Sequence, residues 1–159
     1  MNIMTPTART AMSDLGTIAS ATADTCIATR VRQLSRIVTR VYDDALRPHK
    51  ITASQFTLLT QLAHTDGITA AEIGIDLDIE KSTLSRNLKR LLALGHIEMD
   101  PPAGRRGRGL HLTPRGKTVI REAYPLWQEA QRRSVDIMGV DARGLLDGLL
   151  SQAEKLAAP

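Results

Sequence analysis

A pair of capping boxes fixes two helix starts between residues 52 and 72. Thr52 is followed three residues later by Gln55, and Thr69 is followed by Glu72 in the same way. In each box the two side chains can satisfy each other's backbone N–H groups in the first helical turn. An apolar pattern at helical spacing follows both starts, so this stretch is predicted to form two short helices that share one small core.

A third helix is predicted over residues 82–94, ending at Gly95, which readily adopts a left-handed conformation. Its apolar stripe consists of Leu84, Leu88, Leu91 and Leu92. Its opposite face mixes hydroxyl, amide and cationic side chains, namely Ser82, Thr83, Ser85, Arg86, Asn87, Lys89 and Arg90. Short side chains let a helix approach a DNA major groove, where arginine can pair with guanine and other cations can hold phosphates. For this helix taken alone, a merely solvated basic surface is the alternative.

A hairpin is predicted next, from alternating apolar residues over 96–100 and 110–112. The connection over residues 101–109 is longer than a common hairpin loop and holds three arginines among three glycines. The arginines are Arg105, Arg106 and Arg108. Guanidinium groups favour phosphates and narrow minor grooves, so the loop is interpreted as a wing beside a duplex, with a plain solvated loop as the alternative.

The fold class that follows is mostly α with a small β-hairpin, a winged helix-turn-helix with additional helices on both sides. Thr113 and Pro114 suit the N-cap and first position of a long helix after the hairpin. The length of 159 residues suits one domain. We predict a disordered or loosely helical segment over residues 1–20, a helix over 21–50, the winged unit over 51–116 and further helices over 117–159.

The positive charge is concentrated in the predicted winged unit. The net charge is only +4, but ten Lys and Arg residues against two acidic ones give the segment 81–121 a charge of +8 and the remainder −4. Aromatic residues make up 3% of the chain, too few for the stacking platforms of a typical single-strand binder. Double-stranded DNA is therefore the predicted partner. No apolar run is long enough for a membrane span, and a cytoplasmic protein is expected.

These residues resemble the MarR-type (multiple antibiotic resistance regulator) winged-helix transcription factors. The run from Glu80 to Arg86 is similar to the family's recognition-helix pattern, and Arg106 followed by the run from Leu112 to Gly116 is similar to its wing pattern. The resemblance covers roughly residues 30–137. It departs from the family at Gly104, where an aspartate usually braces the wing arginine, and at Asp78, where glycine is common.

The resemblance implies that Ser82, Thr83, Ser85 and Arg86 read or approach bases, and that Arg106 enters the minor groove. Together with the basic faces described above, the predicted DNA-binding residues are Thr69, Ser82, Thr83, Ser85, Arg86, Asn87, Lys89, Arg90, Arg105, Arg106 and Arg108. The resemblance further implies a regulator, more often a repressor, that reads a pseudo-palindromic operator as a homodimer.

The helices outside the winged unit carry apolar seams that fit a homodimer. The first, predicted from about Ala23 to Arg47, has its apolar residues alternately four and three apart. The last, over residues 141–156, is rich in leucine, and packing within one chain is the alternative. Pro125 is expected to kink the helix over 114–138.

The resemblance also implies a small, often anionic aromatic effector between the dimer helices and the winged unit. Conceivable pocket residues are Arg36, Arg40, Tyr42 and Trp127, with surface charge and core aromatics as the alternative. Cys26 is the only cysteine, so an intrachain disulfide is excluded. A redox-sensing role for Cys26 is a second alternative, against simple packing of a small side chain.

An enzyme finds no support, because the four histidines are dispersed without metal-ligand spacing, no phosphate-cradling glycine motif is present and Cys26 lacks an evident base. No cofactor or metal is expected. A helical protein-interaction adaptor is the remaining class, but it would leave the arginine-rich loop without a role.

Overall fold

The computed structural model of the protein describes the backbone of residues 6–101 and 107–157, and the side chains of residues 14–101 and 107–156. This part of the chain is mostly helical, with one antiparallel hairpin. The helices are α1 (Pro6–Thr25), α2 (Ile27–Leu46), α3 (Ala53–His64), α4 (Ala70–Asp76), α5 (Lys81–Ala93), α6 (Pro114–Met138) and α7 (Ala142–Ala157), with a 3-10 turn over Arg47–His49. The strands are β1 (Ile97–Met99) and β2 (Leu110–Leu112). The predicted fold class is confirmed.

Internal packing separates the chain into two compact units, residues 1–39 and residues 40–159. Within the described residues, no helix is long and apolar enough to cross a bilayer.

The first unit contains part of the N-terminal segment that we predicted to be disordered or loosely helical. Residues 6–20 belong to α1, and residues 1–5 lie outside the described part of the chain. Alanine is the best helix former, and five of the 20 residues of α1 are alanine. The Thr22 and Thr25 hydroxyls donate to carbonyls one turn back at 2.8 and 2.7 Å, so the polar side chains are compatible with the helix. Helix α2 accordingly begins at Ile27, later than the predicted start near Ala23.

The second unit is built around α3. Both capping boxes form as predicted. The Thr52 and Thr69 hydroxyls each accept the backbone N–H three residues on, and the side chains of Gln55 and Glu72 accept the backbone N–H groups of Thr52 and Thr69 in return. Thr113 caps α6 by accepting the Gly116 N–H at 3.0 Å, with Pro114 in the first turn. Gly95 ends α5 with a φ of 67°, the left-handed conformation expected from the sequence.

The core of the second unit lies between α3, α5, α6 and the hairpin. It contains Leu46, Ile51, Phe56, Leu58, Leu59, Leu62, Ile68, Ile73, Leu84, Leu88, Leu91, Ile97, Leu110, Leu112, Val119 and Ala123. Burying one leucine side chain contributes about 1.5–3 kcal/mol, so this cluster fixes the orientation of α5 on α3. Leu92, which we predicted in the same stripe, is half-buried at the edge of the core.

The hairpin pairs Ile97 with Leu112 and Met99 with Leu110. The segment before α4 pairs with β2 through two backbone hydrogen bonds. The Leu110 N–H donates to the Ile68 carbonyl at 3.0 Å, and the Gly67 N–H donates to the Leu110 carbonyl at 3.1 Å. Thr69 forms a bridge with Gly109 in the same ladder. The hairpin is thereby fastened to the start of α4.

Candidate nucleic-acid interface

Helix α5 presents a polar face opposite its buried leucines. Leu84, Leu88 and Leu91 are at most 5% exposed and hold the helix on the core. The side chains on the other face are exposed, namely Lys81, Ser82, Thr83, Ser85, Arg86, Lys89 and Arg90. The hydroxyls are short and the cations long, so a duplex could lie close to the α5 backbone while the cations reach around it.

Glu80 caps the start of α5, a role that the sequence reasoning missed. Its carboxylate accepts the backbone N–H groups of Ser82 at 2.7 Å and Thr83 at 3.1 Å, and it also accepts the Ser82 hydroxyl. The Ser82 hydroxyl foremost, and then the Thr83 N–H, hold the pKa of the Glu80 carboxyl below its usual value. A carboxylate thus satisfies the first turn of the helix, where the helix dipole favours negative charge.

The side-chain amide of Asn87 on α5 has two hydrogen-bond partners within the protein. Its Oδ1 accepts from Nε2 of the buried Gln55 at 3.4 Å, and its Nδ2 donates to the Thr83 carbonyl at 3.2 Å. Asn87 therefore ties α5 to α3 in the free protein.

Thr69 is half-buried, and its hydroxyl is also engaged. It accepts from the Glu72 N–H at 3.3 Å and donates to the Glu72 carboxylate at 2.7 Å. A Cβ added to Gly107 would stand 3.2 Å from the Thr69 side chain, so the end of the wing loop runs directly over the start of α4. Thr69, one of the predicted DNA-binding residues, therefore lies beside the end of the wing loop.

The wing loop leaves β1 at Asp100 and returns at Gly109, whose carbonyl accepts the Asp100 N–H at 2.9 Å. Arg108 folds back over this base: its Nε donates to the Asp100 carbonyl and its Nη2 to the Met99 carbonyl at 3.4 Å. Arg105 and Arg106 lie outside the described residues. Of the three predicted wing arginines, the described one caps the end of β1.

His111 joins the wing to the turn between α3 and α4. Its Nδ1 lies 3.0 Å from a carboxylate oxygen of Asp66, and its Nε2 lies 3.0 Å from one of Asp100. Asp66 is 45 residues away in sequence, so no sequence pattern pointed to this bridge. The hydrogen bond to Asp66 is the main cause that raises the pKa of His111, against a smaller opposing effect of desolvation.

Known proteins resemble this chain both in sequence and in fold. A sequence profile described as the MarR family matches residues 49–107. The Multiple antibiotic resistance protein MarR of Salmonella typhimurium is 35% identical over 86 residues, which are 54% of this chain and 60% of the relative. The HTH-type transcriptional regulator TtmR of Methylorubrum extorquens is 31% identical over 121 residues, 75% of this chain and 61% of the relative. The chain therefore spans about 60% of the length of these curated relatives.

A solved structure of the M. tuberculosis transcriptional regulator MosR in complex with DNA has a TM-score of 0.73 and 27% identity, covering 84% of this chain and 99% of that one. The chain belongs to the MarR family. TtmR and MosR are named as transcriptional regulators, and none of these three relatives is named as an enzyme, in agreement with the sequence interpretation.

One departure from the MarR family pattern has a visible cost in the backbone. Asp78 has a φ of 47° in the turn between α4 and α5. Glycine adopts this left-handed region freely, whereas aspartate does so at a cost that is small compared with most other residues. The turn therefore holds Asp78 in a left-handed conformation, the kind that glycine adopts most readily.

The candidate effector residues of this MarR-family protein are partly brought together. Trp127 lies with its ring centroid 6.3 Å from Tyr42, 6.3 Å from Phe56 and 5.9 Å from Tyr124, so all four aromatic residues of the chain form one cluster. The Tyr42 hydroxyl lies 2.6 Å from Oε1 of Gln131. The other two candidates, Arg36 and Arg40, are exposed.

Cys26 lies between α1 and α2 and is half-buried. Hydrogen bonds from Thr29, first from its side chain and then from its backbone N–H, lower the pKa of the Cys26 thiol. Within the part of the chain that the structure describes, no group of three or more possible metal-ligating side chains occurs.

Proposed function

We propose that this MarR-family protein is a sequence-specific DNA-binding transcriptional regulator, acting as a repressor. The observation that carries the proposal is the exposed face of α5, where hydroxyls and cations converge while the leucines opposite are buried. The returning end of the wing loop lies against the start of α4, so the base of the wing is attached to the helix-turn-helix that carries the basic face of α5. The DNA complex of MosR supports duplex DNA as the partner.

In this proposal α5 enters the major groove and the wing reaches the neighbouring minor groove. Arg86 pairs with guanine O6 and N7, while Lys89 and Arg90 hold phosphates on either side. Arg105 and Arg106 supply the minor-groove contact of the wing.

The proposal is tested by selecting bound sequences from a random duplex pool and measuring the affinity for the selected duplex by fluorescence anisotropy. Replacing Arg105, Arg106 and Arg108 together with alanine should weaken binding, whereas Arg133→Ala, which removes one exposed cation from α6, should weaken it far less. Unchanged affinity in the triple variant would remove the wing from the interface.

We further propose that the protein works as a homodimer. Large apolar side chains are exposed on α2 and α7, including Ile27 at 79%, Val31 at 60%, Leu145 at 67% and Leu149 at 67%. Exposed apolar stripes of this extent favour association. Two recognition helices related by a two-fold axis would read a pseudo-palindromic operator with half-sites about 34–36 Å apart.

The dimer is tested by light scattering at micromolar concentration. Leu149→Asp places a charge in the α7 stripe and should yield monomers with weakened operator binding. Ile75→Asp, an equal change at an exposed apolar residue of α4, should leave the dimer mass unchanged. A monomeric wild-type protein would contradict the proposal.

We also propose that a small effector controls DNA binding. An anionic aromatic ligand could stack on the cluster around Tyr42 and Trp127, with Arg40 as the cationic candidate. Release of the selected duplex by aromatic carboxylates, lost on Trp127→Leu, would support this site. Equal release from the variant would place the effector elsewhere.

A redox-sensing regulator is a second candidate, favoured by the lowered pKa of Cys26. A thiol with more thiolate character reacts faster with peroxide. Mild peroxide treatment should then weaken duplex binding of the wild type but not of Cys26→Ser, and unchanged wild-type binding would remove this candidate.

A further inference from the structure

The wing base contains a histidine held between two carboxylates on different elements. Asp66 comes from the turn between α3 and α4, and Asp100 is the residue at which β1 gives way to the wing loop. His111 lies on β2 between them and is about one-third exposed. The His111 contacts therefore join β2 to the segment before α4, as do the backbone hydrogen bonds between Leu110 and residues 67–68.

The geometry requires a particular protonation state. An ionised carboxylate only accepts hydrogen bonds, and a neutral imidazole has only one N–H to give. Both ring nitrogens of His111 lie 3.0 Å from carboxylate oxygens, so only the doubly protonated ring can donate to both. A neutral ring would set a lone pair against one of the carboxylates and lose that contact.

Other charged groups lie around the bridge. Glu98 stands directly opposite His111 in the hairpin. Arg108 covers the Asp100 carbonyl, and Lys117 and Arg121 of α6 line the same surface groove as Asp66. Both carboxylates and Glu98 favour the charged ring, while the three cations oppose it from the wing and from α6.

The bridge stands where it can control the wing. The loop begins immediately after Asp100, and Gly109 at its other end leaves no room for a side chain, since an added Cβ would lie 2.5 Å from the Asp100 carboxylate. A movement of Asp100 away from Asp66 therefore moves both ends of the loop together.

We propose that His111 is a positioning residue for DNA binding: as an imidazolium ion it ties Asp100 to Asp66 and holds the wing against the start of α4. The inference rests on the proposed function, because it assigns His111 a part in presenting the wing to a duplex. The raised pKa of His111 gives the sign of the effect. The bridge is complete below that pKa and weakens as the pH rises through it.

The bridge is tested first without DNA, by NMR on the free full-length protein. Titration of the His111 ring carbons should show a raised midpoint that drops in Asp66→Asn. Hydrogen-exchange protection of the Leu110 and Gly67 amides, corrected for intrinsic rates, should fall about three- to tenfold between about pH 6 and pH 8.5, the range expected for one exposed ionic contact.

His111→Gln is the main variant, because glutamine can donate to one carboxylate but does not titrate. Its protection should be weaker at the lower pH and flat across the range, and His64→Gln, at the exposed end of α3, should keep the wild-type profile. Equal pH profiles in the wild type and His111→Gln would overturn the bridge.

The same proteins are then compared on the duplex selected by the wild type. Wild-type affinity should weaken by a similar three- to tenfold factor over this pH range, and His111→Gln should lose that dependence. A bridge that titrates in the free protein without any difference in affinity profile would overturn the positioning role. Failure of the wild type to bind any duplex, with the bridge titrating as expected, would instead overturn the proposed function.

Discussion

The Gln55 side-chain amide donates to the Asn87 amide oxygen at 3.4 Å, joining the buried face of α3 to α5. We expect Asn87→Ala to leave the buried Gln55 donor without a partner and to lower the free energy of unfolding by about 1 kcal/mol, which urea unfolding would measure. An unchanged midpoint would mean that the bond has no energetic role. The matched change Ser85→Ala, at an exposed position of the same helix, should leave stability within about 0.5 kcal/mol.

Arg86 and Lys89 should differ in how they affect DNA binding. We expect Arg86→Ala to weaken binding to the selected duplex about 10- to 100-fold and to relax its sequence preference, because a bidentate base contact is lost. Lys89→Ala should weaken binding to all duplexes alike and reduce the salt slope by about 1, because a phosphate contact is lost. Competition between selected and scrambled duplexes separates the two, and equal losses on both duplexes for Arg86→Ala would contradict base reading.

Gly109 lies where the wing returns against the segment before α4. A Cβ at this position would stand 2.9 Å from the Gly67 carbonyl oxygen and nearer still to Asp100, so Gly109→Ala should push the wing away and cost about 1–3 kcal/mol of stability. Gly144→Ala is the control, because nothing lies within 4 Å of its Cβ and helix propensity should raise stability by about 0.5–1 kcal/mol. Thermal unfolding measures both, and equal effects would refute the close approach.

His96 should make the protein less stable in mild acid. It is 5% exposed, and its Nδ1 has no hydrogen-bond partner within the described part of the chain. Burial, and secondarily the charge of Arg115, lower the pKa of His96. The unfolded chain therefore binds a proton that the folded protein excludes, so this contribution to stability is present above about pH 6.5 and is lost as the pH falls.

Urea unfolding at about pH 7.5 and pH 5.5 measures this effect. We expect His96→Leu, which keeps most of the volume without the ring nitrogens, to lose less stability on acidification than the wild type. Equal losses would assign the acid sensitivity to other groups. Protonation of His111 stabilises the protein in acid, which is the opposite effect. Because His111 is present in both proteins, the difference between the variant and the wild type reports on His96 alone.

Local signals account for the parts of the fold that the sequence predicted. A capping box such as that of Thr69 depends on residues three apart, and the burial of Leu84, Leu88 and Leu91 follows from helical period alone. The boundaries of α5, α6 and both strands agree with the prediction to within one residue at each end. The exposed cationic face of α5 follows from the same period.

The features that were missed depend on distant residues or on side chains that are poor local signals. Glu80 is not among the preferred N-cap residues, so its cap was hidden in a break of the apolar pattern. The His111 bridge joins residues 45 and 11 positions apart, which only the folded hairpin brings together. For residues 6–20, the scarcity of bulky apolar residues left disorder and loose helix as alternatives, and the alanines favour the helix that α1 forms.

The central claim is that α5 and the wing bind a DNA duplex by contacting its phosphates and bases. The most direct measurement is the affinity for the selected duplex as a function of salt. If the dimer neutralises about 6–10 phosphates, affinity should fall about 10³- to 10⁵-fold between 50 and 200 mM salt. A protein that ignores the duplex in dilute buffer, or binds it with no response to salt, would contradict the account.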